Sequence, residues 1–579
     1  MPDRAVVYAC AACLLISGTG RAEPADVVLY HGKIVTVDPA FRIAEAMAIQ
    51  GERILEVGAS DEVLKLAGPG TKRIDLGGKT VLPGLNDTHS HPIDAALHEF
   101  DHRIPEMESV ADVLDYIGHR AEVLEDGQWI VVQQVFITRL RDRRFPTREE
   151  LDRVAPKNPV IFRTGPDASV NSLALALSGI DEDFQITDGQ PGSLERDPKT
   201  GKLTGILRSS ARLIKAQPVG KAPSDEDRRR CLRALLAAYN EVGITSVNDR
   251  ETTDSSVELY AKLRDNGELT CRMFLTYYVD TNPPLDEIEA AILRASRHPL
   301  RRYDNLLWLR GIKVYLDGGM LTGSAYMRKP WGVSKIYSIS DPAYRGMLFI
   351  EPDKLHRIAR CSLANHMQLT AHAVGDAAID ALVAAYERVN REFSVRDERP
   401  CISHSNFMSP EAIGKMAELG IVADLQPAWI WLDGSTLVKQ FGDERLAYFQ
   451  PYKTLFERGV MVAGGSDHMQ KLGRRRSLNT YDPFLGIWTT LVRQPRWTDR
   501  PLHPEQAIAR EQAIRFYTIQ GAYLTFEEKE KGSLEKGKLA DFIVLDKDIL
   551  ICPVDEVKDI NVLGTWLGGK QVYARTEAP

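Results

Sequence analysis

The segment Asp87-Thr88-His89-Ser90-His91 sets two imidazoles at positions i and i+2. On extended chain these side chains point the same way, so both can bind one metal ion. Alone the pattern is weak, because 13 histidines in 579 residues give roughly 0.3 such pairs by chance. Other residues of ligating type stand in comparable places. Lys313 lies inside the apolar run LWLRGIKVYL, where an ammonium is costly unless paired or modified. His372 lies near the end of MQLTAHA, His404 near the end of PCISHS, and Asp467 follows Gly464-Gly465-Ser466. One at a time these read as a snorkelling lysine, two core histidines and a turn aspartate. Together they put ligand chemistry at the ends of five strands.

Hydrophobic patterning supplies the elements to hold them. Apolar runs at 243–248, 271–279, 307–316, 367–373, 400–405, 420–427 and 459–467 alternate with helical patterns such as SDEDRRRCLRALLAAYNEV and DAAIDALVAAYERVNREF. With the run reaching Asn86 there are eight strands. Eight strand–helix repeats predict an α/β fold, a (β/α)8 TIM barrel with its active site at the C-terminal strand ends. About 150 residues separate the first two strands, where a crossover unit needs ~30. The runs WIVVQQV, NPVIFRT and LTGILRS in that interval predict an inserted subdomain over about 95–235. Short β-branched runs from Asp26 to Leu82 predict a small antiparallel sheet. ADFIVLD and TWLGGKQVYA repeat the texture near the C-terminus, with Gly568-Gly569 as a hairpin turn. The expected organisation is a barrel domain over 83–525, and a β-sandwich built from 23–82 and 526–579.

Composition narrows the function classes. The chain is 44% hydrophobic and 26% charged, with a net charge of −7, which argues against nucleic acid as a main partner. No apolar stretch is long enough to span a membrane. Ala5 to Gly20 is uncharged and mostly apolar, and Gly20-Arg21-Ala22 offers small residues to a signal peptidase. Residues 1–22 are therefore expected to be a signal peptide cleaved before Glu23, which makes the protein periplasmic or secreted. The remaining cysteines, Cys231, Cys271, Cys361, Cys401 and Cys552, are never spaced CxxC. They read as separate thiols.

Longer runs sharpen the reading: LPGLNDTHSHP, GQWIVVQQVF, RFPTREELDRVAP, GIKVYLDGGMLTGSA, LTAHAVGDAAID and KGSLEKGKLADFIVLDKD. With the order HxH, Lys, His, His, Asp, the chain resembles the amidohydrolase superfamily, and within it the YtcJ-like metal-dependent amidohydrolases, amidohydrolase family 3. The resemblance spans Asp26 to Ala574. It implies a metal-bearing TIM barrel and hydrolysis of a C–N bond. Carried over by position, His89, His91 and Asp467 would hold one metal, His372 and His404 a second, and a carbamate on Lys313 would bridge them. Two departures bear on substrate. The stretch Gly165-Pro166-Asp167-Ala168-Ser169, before Asn171-Ser172, lacks a Gly-His pair frequent in the family, and Asn248 stands where a histidine is common.

The expected chemistry is hydrolysis of an amide, imide or N-acyl bond by a metal-activated hydroxide, with Asp467 as general base and then general acid. His404 either binds metal or polarises the carbonyl. Zinc suits the donor set first, with iron, manganese or cobalt as alternatives. The competing readings are an ester, lactone or phosphoester hydrolase on the same metals, and a non-catalytic regulatory or binding protein that keeps the fold. A small-molecule substrate is expected, and homo-oligomerisation is left open. Lys471 with Arg474, Arg475 and Arg476 reads as a solvated loop ahead of an anion site. Trp429, Trp431, Trp488 and Trp497 either wall a pocket or pack. Asp317-Gly318-Gly319 reads as a turn, and His98 with His102 as surface residues.

Overall fold

Eight parallel strands follow one another in chain order around a single sheet: Leu85–Ser90, Ile244–Thr252, Arg272–Tyr278, Leu307–Tyr315, Gln368–Ala373, Cys401–His404, Val422–Leu425 and Val462–Gly464. The computed structural model describes residues 23–576 apart from 134, 190, 191, 218, 221 and 338, so the expected signal peptide lies outside the described residues. A parallel bridge between Ser90 and His468 brings the last strand back to the first. It is reinforced by Asp467 N–H donating to His89 O at 2.6 Å and His91 N–H donating to His468 O at 2.8 Å. Gly465 permits this approach, since a Cβ there would lie 2.6 Å from the Cβ of His89. The architecture is the expected α/β TIM barrel.

Amphipathic helices cover the barrel for the reason the patterning predicts. Asp225–Glu241 buries Leu232, Leu235, Leu236 and Tyr239, and Ser224 with Asp227 closes a capping box at its start. Asp376–Asn390 buries Ile379, Leu382, Val383 and Tyr386.

Between the first two barrel strands stands a five-stranded sheet in the order Ser193–Arg196, Leu203–Arg208, Asp167–Val170, Val160–Thr164, Ile130–Gln133. Strand alternation gives it two buried faces. Ile130, Val132, Val160 and Phe162 pack with Val113, Ile117 and Leu151. Ile161, Ala168 and Val170 pack with Leu175, Leu203 and Leu207.

Two further sheets lie beside the barrel, one of strands within 25–75 and one joining strands within 33–83 to strands within 542–574. Leu29, Met47 and Ile54 of the first share a core with Ile34, Val81, Phe542 and Trp566 of the second. The expectation of a purely antiparallel N-terminal sheet is corrected. Val27–Tyr30 pairs with Lys72–Asp75 in parallel, as does Lys33-Ile34 with Thr80-Val81. A helical crossover through Ser60–Leu66 returns the chain in the same direction, which a tight hairpin cannot do. The Gly568-Gly569 hairpin has φ of 54° and 71° at its two turn residues, the primed geometry that favours glycine.

One buried ion pair joins the small sheets to the barrel. Arg272 donates to both carboxylate oxygens of Asp541 at 2.7 and 2.8 Å, and each side chain is 4% exposed. Burial alone would raise the Asp541 carboxyl, but the guanidinium and the Gly568 N–H hold it below its ordinary value of 3.8. Its stabilisation is therefore complete above the ordinary carboxylate range and is lost as pH falls through the depressed value. Arg272→Leu should cost about 3–5 kcal/mol at neutral pH by leaving a buried carboxylate unpaired. Urea unfolding should show the deficit at pH 7 and a gap that narrows as pH falls, because burial raises the unpaired Asp541 carboxyl of the variant and protonation relieves it. Parent-like stability at pH 7 would contradict it.

Candidate metal centre

Parallel register brings the candidate ligands to one end of the barrel. Tyr315 pairs with His372 and Ala373 with His404 across adjacent strands, with Lys313 two residues before Tyr315. His89 Nε2 lies 3.4 Å and His91 Nε2 3.2 Å from the same oxygen, Asp467 Oδ1. Ligand atoms of these three residues all lie within 4.8 Å of one another, close enough to share one ion. His372 and His404 stand outside that triad but adjoin it. The His404 ring centroid is 4.6 Å from that of His89 and 4.5 Å from that of His372. Lys313 is fully buried, with Nζ 5.2 Å from the centre of the Tyr315 ring.

The backbone is strained where two candidate ligands are presented. His404 has φ of 78° and Asp467 of 56°, left-handed values that cost non-glycine residues about 1–3 kcal/mol each. Surrounding contacts hold them there. Asp87 accepts from Ser466 N–H at 2.9 Å and Ser466 Oγ at 2.5 Å, fixing the turn before Asp467.

Carboxylates orient the histidines from behind. His89 Nδ1 is 2.9 Å from Asp424 Oδ2, so its Nε2 faces Asp467. Thr88 Oγ1 donates to Asp424 Oδ1 at 2.7 Å, and fully buried Arg250 reaches Asp424 Oδ2 at 3.0 Å. His91 Nδ1 faces Glu251 Oε2 at 3.5 Å, and Tyr315 OH donates to that oxygen at 2.7 Å. His404 Nδ1 is 2.8 Å from Gln426 Oε1, and its ring stacks on Trp429 at 5.1 Å and 15°.

These residues fit a divalent cation. His89 Nε2, His372 Nε2 and Lys313 Nζ are buried without a hydrogen-bond partner, and imidazoles with a carboxylate are the donors of zinc and related first-row metals. Burial, then the Lys313 charge, keep His89 far below and His372 down at about 3, the neutral form that ligates. Burial and neighbouring His372 and Lys313 do the same to His404. Burial opposes charge on His91, yet Asp467 and Glu251 raise it to about 8. Burial and Arg250 bring Lys313 down to about 8.

Asp424, Arg250, Glu251 and Gln426 escaped the sequence, as did Asn479, whose Nδ2 donates to Asp467 Oδ2 at 3.0 Å. Asp424 had a usable signal, a carboxylate inside the apolar run GIVADLQP, the same anomaly that singled out Lys313. Of the four tryptophans, Trp429 lies against a candidate ligand, whereas Trp488 reaches Asp555, and Trp431 and Trp497 lie against Arg496. The solvated-loop reading of residues 471–476 holds for exposed Arg475 and is corrected for the rest. Lys471 is buried on Pro105 O, Arg474 and Arg475 hold Asp482, and Arg476 holds Glu99, because these side chains anchor the loop. His98 and His102 are half-buried rather than surface residues, since His102 bonds Asp101 and Tyr116 and burial pushes His98 down to about 4. Asp317 does more than turn the chain: it accepts from the N–H groups of Tyr326, Val374 and Gly375. At the two departures, Asn248 accepts from Thr276 Oγ1, and Asp167 accepts from Ser209 N–H and Arg208.

Known proteins share this layout. A profile of the amidohydrolase family, family 3, matches residues 72–573. The N-substituted formamide deformylase of Arthrobacter pascens is 30% identical over 566 residues, covering 95% of this chain and 99% of that protein. The putative amidohydrolase YtcJ of Bacillus subtilis (strain 168) is 25% identical, covering 92% and 98%. A crystal structure of an uncharacterized metal-dependent hydrolase from Pyrococcus furiosus superposes with a TM-score of 0.64 at 22% identity, covering 91% of this chain and all of that one, a likeness of fold. With its triad at the strand ends and a family match over most of its length, the chain belongs to the amidohydrolase family, family 3.

Proposed function

We propose that this metal-dependent C–N hydrolase acts on an N-acyl compound, imide or small amide, with Asp467 moving the proton. The observation that carries the reading is the convergence of two imidazole Nε2 atoms on Asp467 Oδ1 while their Nδ1 atoms face Asp424 and Glu251. A bound divalent cation, zinc first, supplies a Lewis acid for the carbonyl and makes water more acidic. His89, His91 and Asp467 would hold one ion, with His372, His404 and a carbamate on Lys313 serving a second. Asp467 Oδ1 accepts the proton of the attacking water and returns it to the leaving nitrogen, which cannot depart as an anion.

The likeness to an N-substituted formamide deformylase makes N-substituted formamides the first compounds to assay. The test pairs amide and ester versions of one acyl group across formyl, acetyl and imide series. Turnover of amides that chelation abolishes is expected. Turnover of esters alone would favour the ester reading, and an inert metal-loaded protein would favour a binding role.

A further inference from the structure

The inserted subdomain reaches the proton-transferring carboxylate through one side chain. Arg139 closes the short turn Ile137–Arg139 that follows the subdomain strand Ile130–Gln133, and it is 3% exposed. Its Nε and Nη2 donate to Asp433 Oδ1 and Oδ2 at 2.8 and 2.7 Å, a bidentate pair with the helix Ala428–Phe441. Its Nη1 donates to Leu478 O at 2.6 Å and to Asn479 Oδ1 at 2.7 Å. Trp429 Nε1 donates to the same Asn479 oxygen at 3.1 Å.

That arrangement settles which way the Asn479 amide faces. With its oxygen taken by two donors, Nδ2 must point the other way, and there it donates to Asp467 O at 2.7 Å and Asp467 Oδ2 at 3.0 Å. Oδ2 being held, Oδ1 is the oxygen turned toward His89 and His91. A flipped amide would set its oxygen against a carboxylate oxygen, leaving both Arg139 Nη1 and Trp429 Nε1 facing an NH2 group. In a buried position such mismatches cost about 1–3 kcal/mol each.

We propose that Arg139 and Asn479 are positioning residues for Asp467, so that the inserted subdomain, through Arg139, sets the geometry of proton transfer. The inference rests on Asp467 being the proton-transferring group. Neither residue reaches the reacting atoms itself. Their effect belongs in kcat, because Asp467 is displaced from the proton it must take.

The experiment uses the full chain loaded with metal and a turned-over formamide or N-acyl substrate. Arg139→Leu/Asp433→Leu removes the buried pair without stranding a charge, an exchange that is often neutral for stability. Asn479→Leu removes the amide, and the triple variant combines them. The expected result is a kcat, read at saturating metal, lowered by about 10–100-fold in each, with KM and melting temperature close to the parent's. The triple variant should be no slower than the worse of its components, since both changes release the same carboxylate. Arg139→Lys, which keeps a donor and the charge, should recover part of kcat and serves should the double variant fail to fold. Parent-like kcat in the double variant, or in Asn479→Leu, overturns the proposal. So does a multiplicative loss in the triple variant, or an Arg139→Lys loss that appears in melting temperature and not in kcat. Asp467→Ala, measured alongside, separates the two levels. An active Asp467→Ala removes the underlying reading, whereas an inactive one beside a fully active double variant removes this inference alone.

Discussion

Asp467→Asn should lower kcat by about 10²–10⁴-fold at saturating metal, the range in which a positioned acid–base group acts. The change is nearly isosteric, so packing beside Asn479 and the Gly465 approach to His89 are retained. What is lost is the basic oxygen facing His89 and His91 at 3.4 and 3.2 Å. An amide has no carboxylate lone pair of comparable basicity to take a proton from water, and none to give back to a departing nitrogen. Metal affinity should fall too, because one anionic donor becomes neutral, and kcat must therefore be read at saturation. Esters of the same acyl group should suffer less, since an alkoxide leaves without full protonation. A loss below tenfold on amides would contradict the assignment.

Lys313→Ala should remove turnover by more than about 100-fold and take metal with it, exceeding the loss typical of residues that only support ligands. Lys313 is fully buried in its strand, and Nζ has no hydrogen-bond partner. An ammonium there would face incoming cations, a repulsion of several kcal/mol in a poorly solvated place. With burial and Arg250 bringing it down to about 8, an appreciable part of the amine is neutral near physiological pH. Neutral Nζ can attack the carbon of CO2. An N–C bond forms, one C=O electron pair moves to oxygen, a proton leaves for solvent, and the side chain becomes a carboxylate-bearing anion. Short carboxylic acids should then restore part of the activity of Lys313→Ala. Lys313→Arg should not respond, since its cation still fills the space. Protein prepared with ¹³C-bicarbonate should carry a carbamate resonance that Lys313→Ala lacks. Full activity without that resonance would leave Lys313 an amine.

The barrel and the triad were legible because both depend on residues whose type and place coincide. Apolar runs announce strands, and a histidine, lysine or aspartate at their ends conflicts with that context. Asp424, Arg250 and Asn479 act at one remove, and their meaning depends on neighbours that only folding supplies. Asn479 is 12 residues beyond Asp467 in a loop, and nothing in its local sequence says that its amide faces back. The parallel pairings of the N-terminal strands were hidden for a related reason. Short strands advertise burial but not direction, which the Ser60–Leu66 crossover decides. The cationic loop looks solvated in sequence because Asp482 and Glu99, which pair with its arginines, lie far from it or outside its run of charge.

Hydrolysis is expected to depend on metal held by His89, His91 and Asp467. Elemental analysis of fully active protein, set against His89→Ala/His91→Ala prepared identically, tests it most directly. About two divalent ions per active chain are expected, with loss of at least one ion together with nearly all turnover in the variant. Activity returning in proportion to added metal after chelation of the parent would agree. Full activity in protein free of metal, or a variant that keeps its turnover, would contradict metal-dependent hydrolysis at these residues.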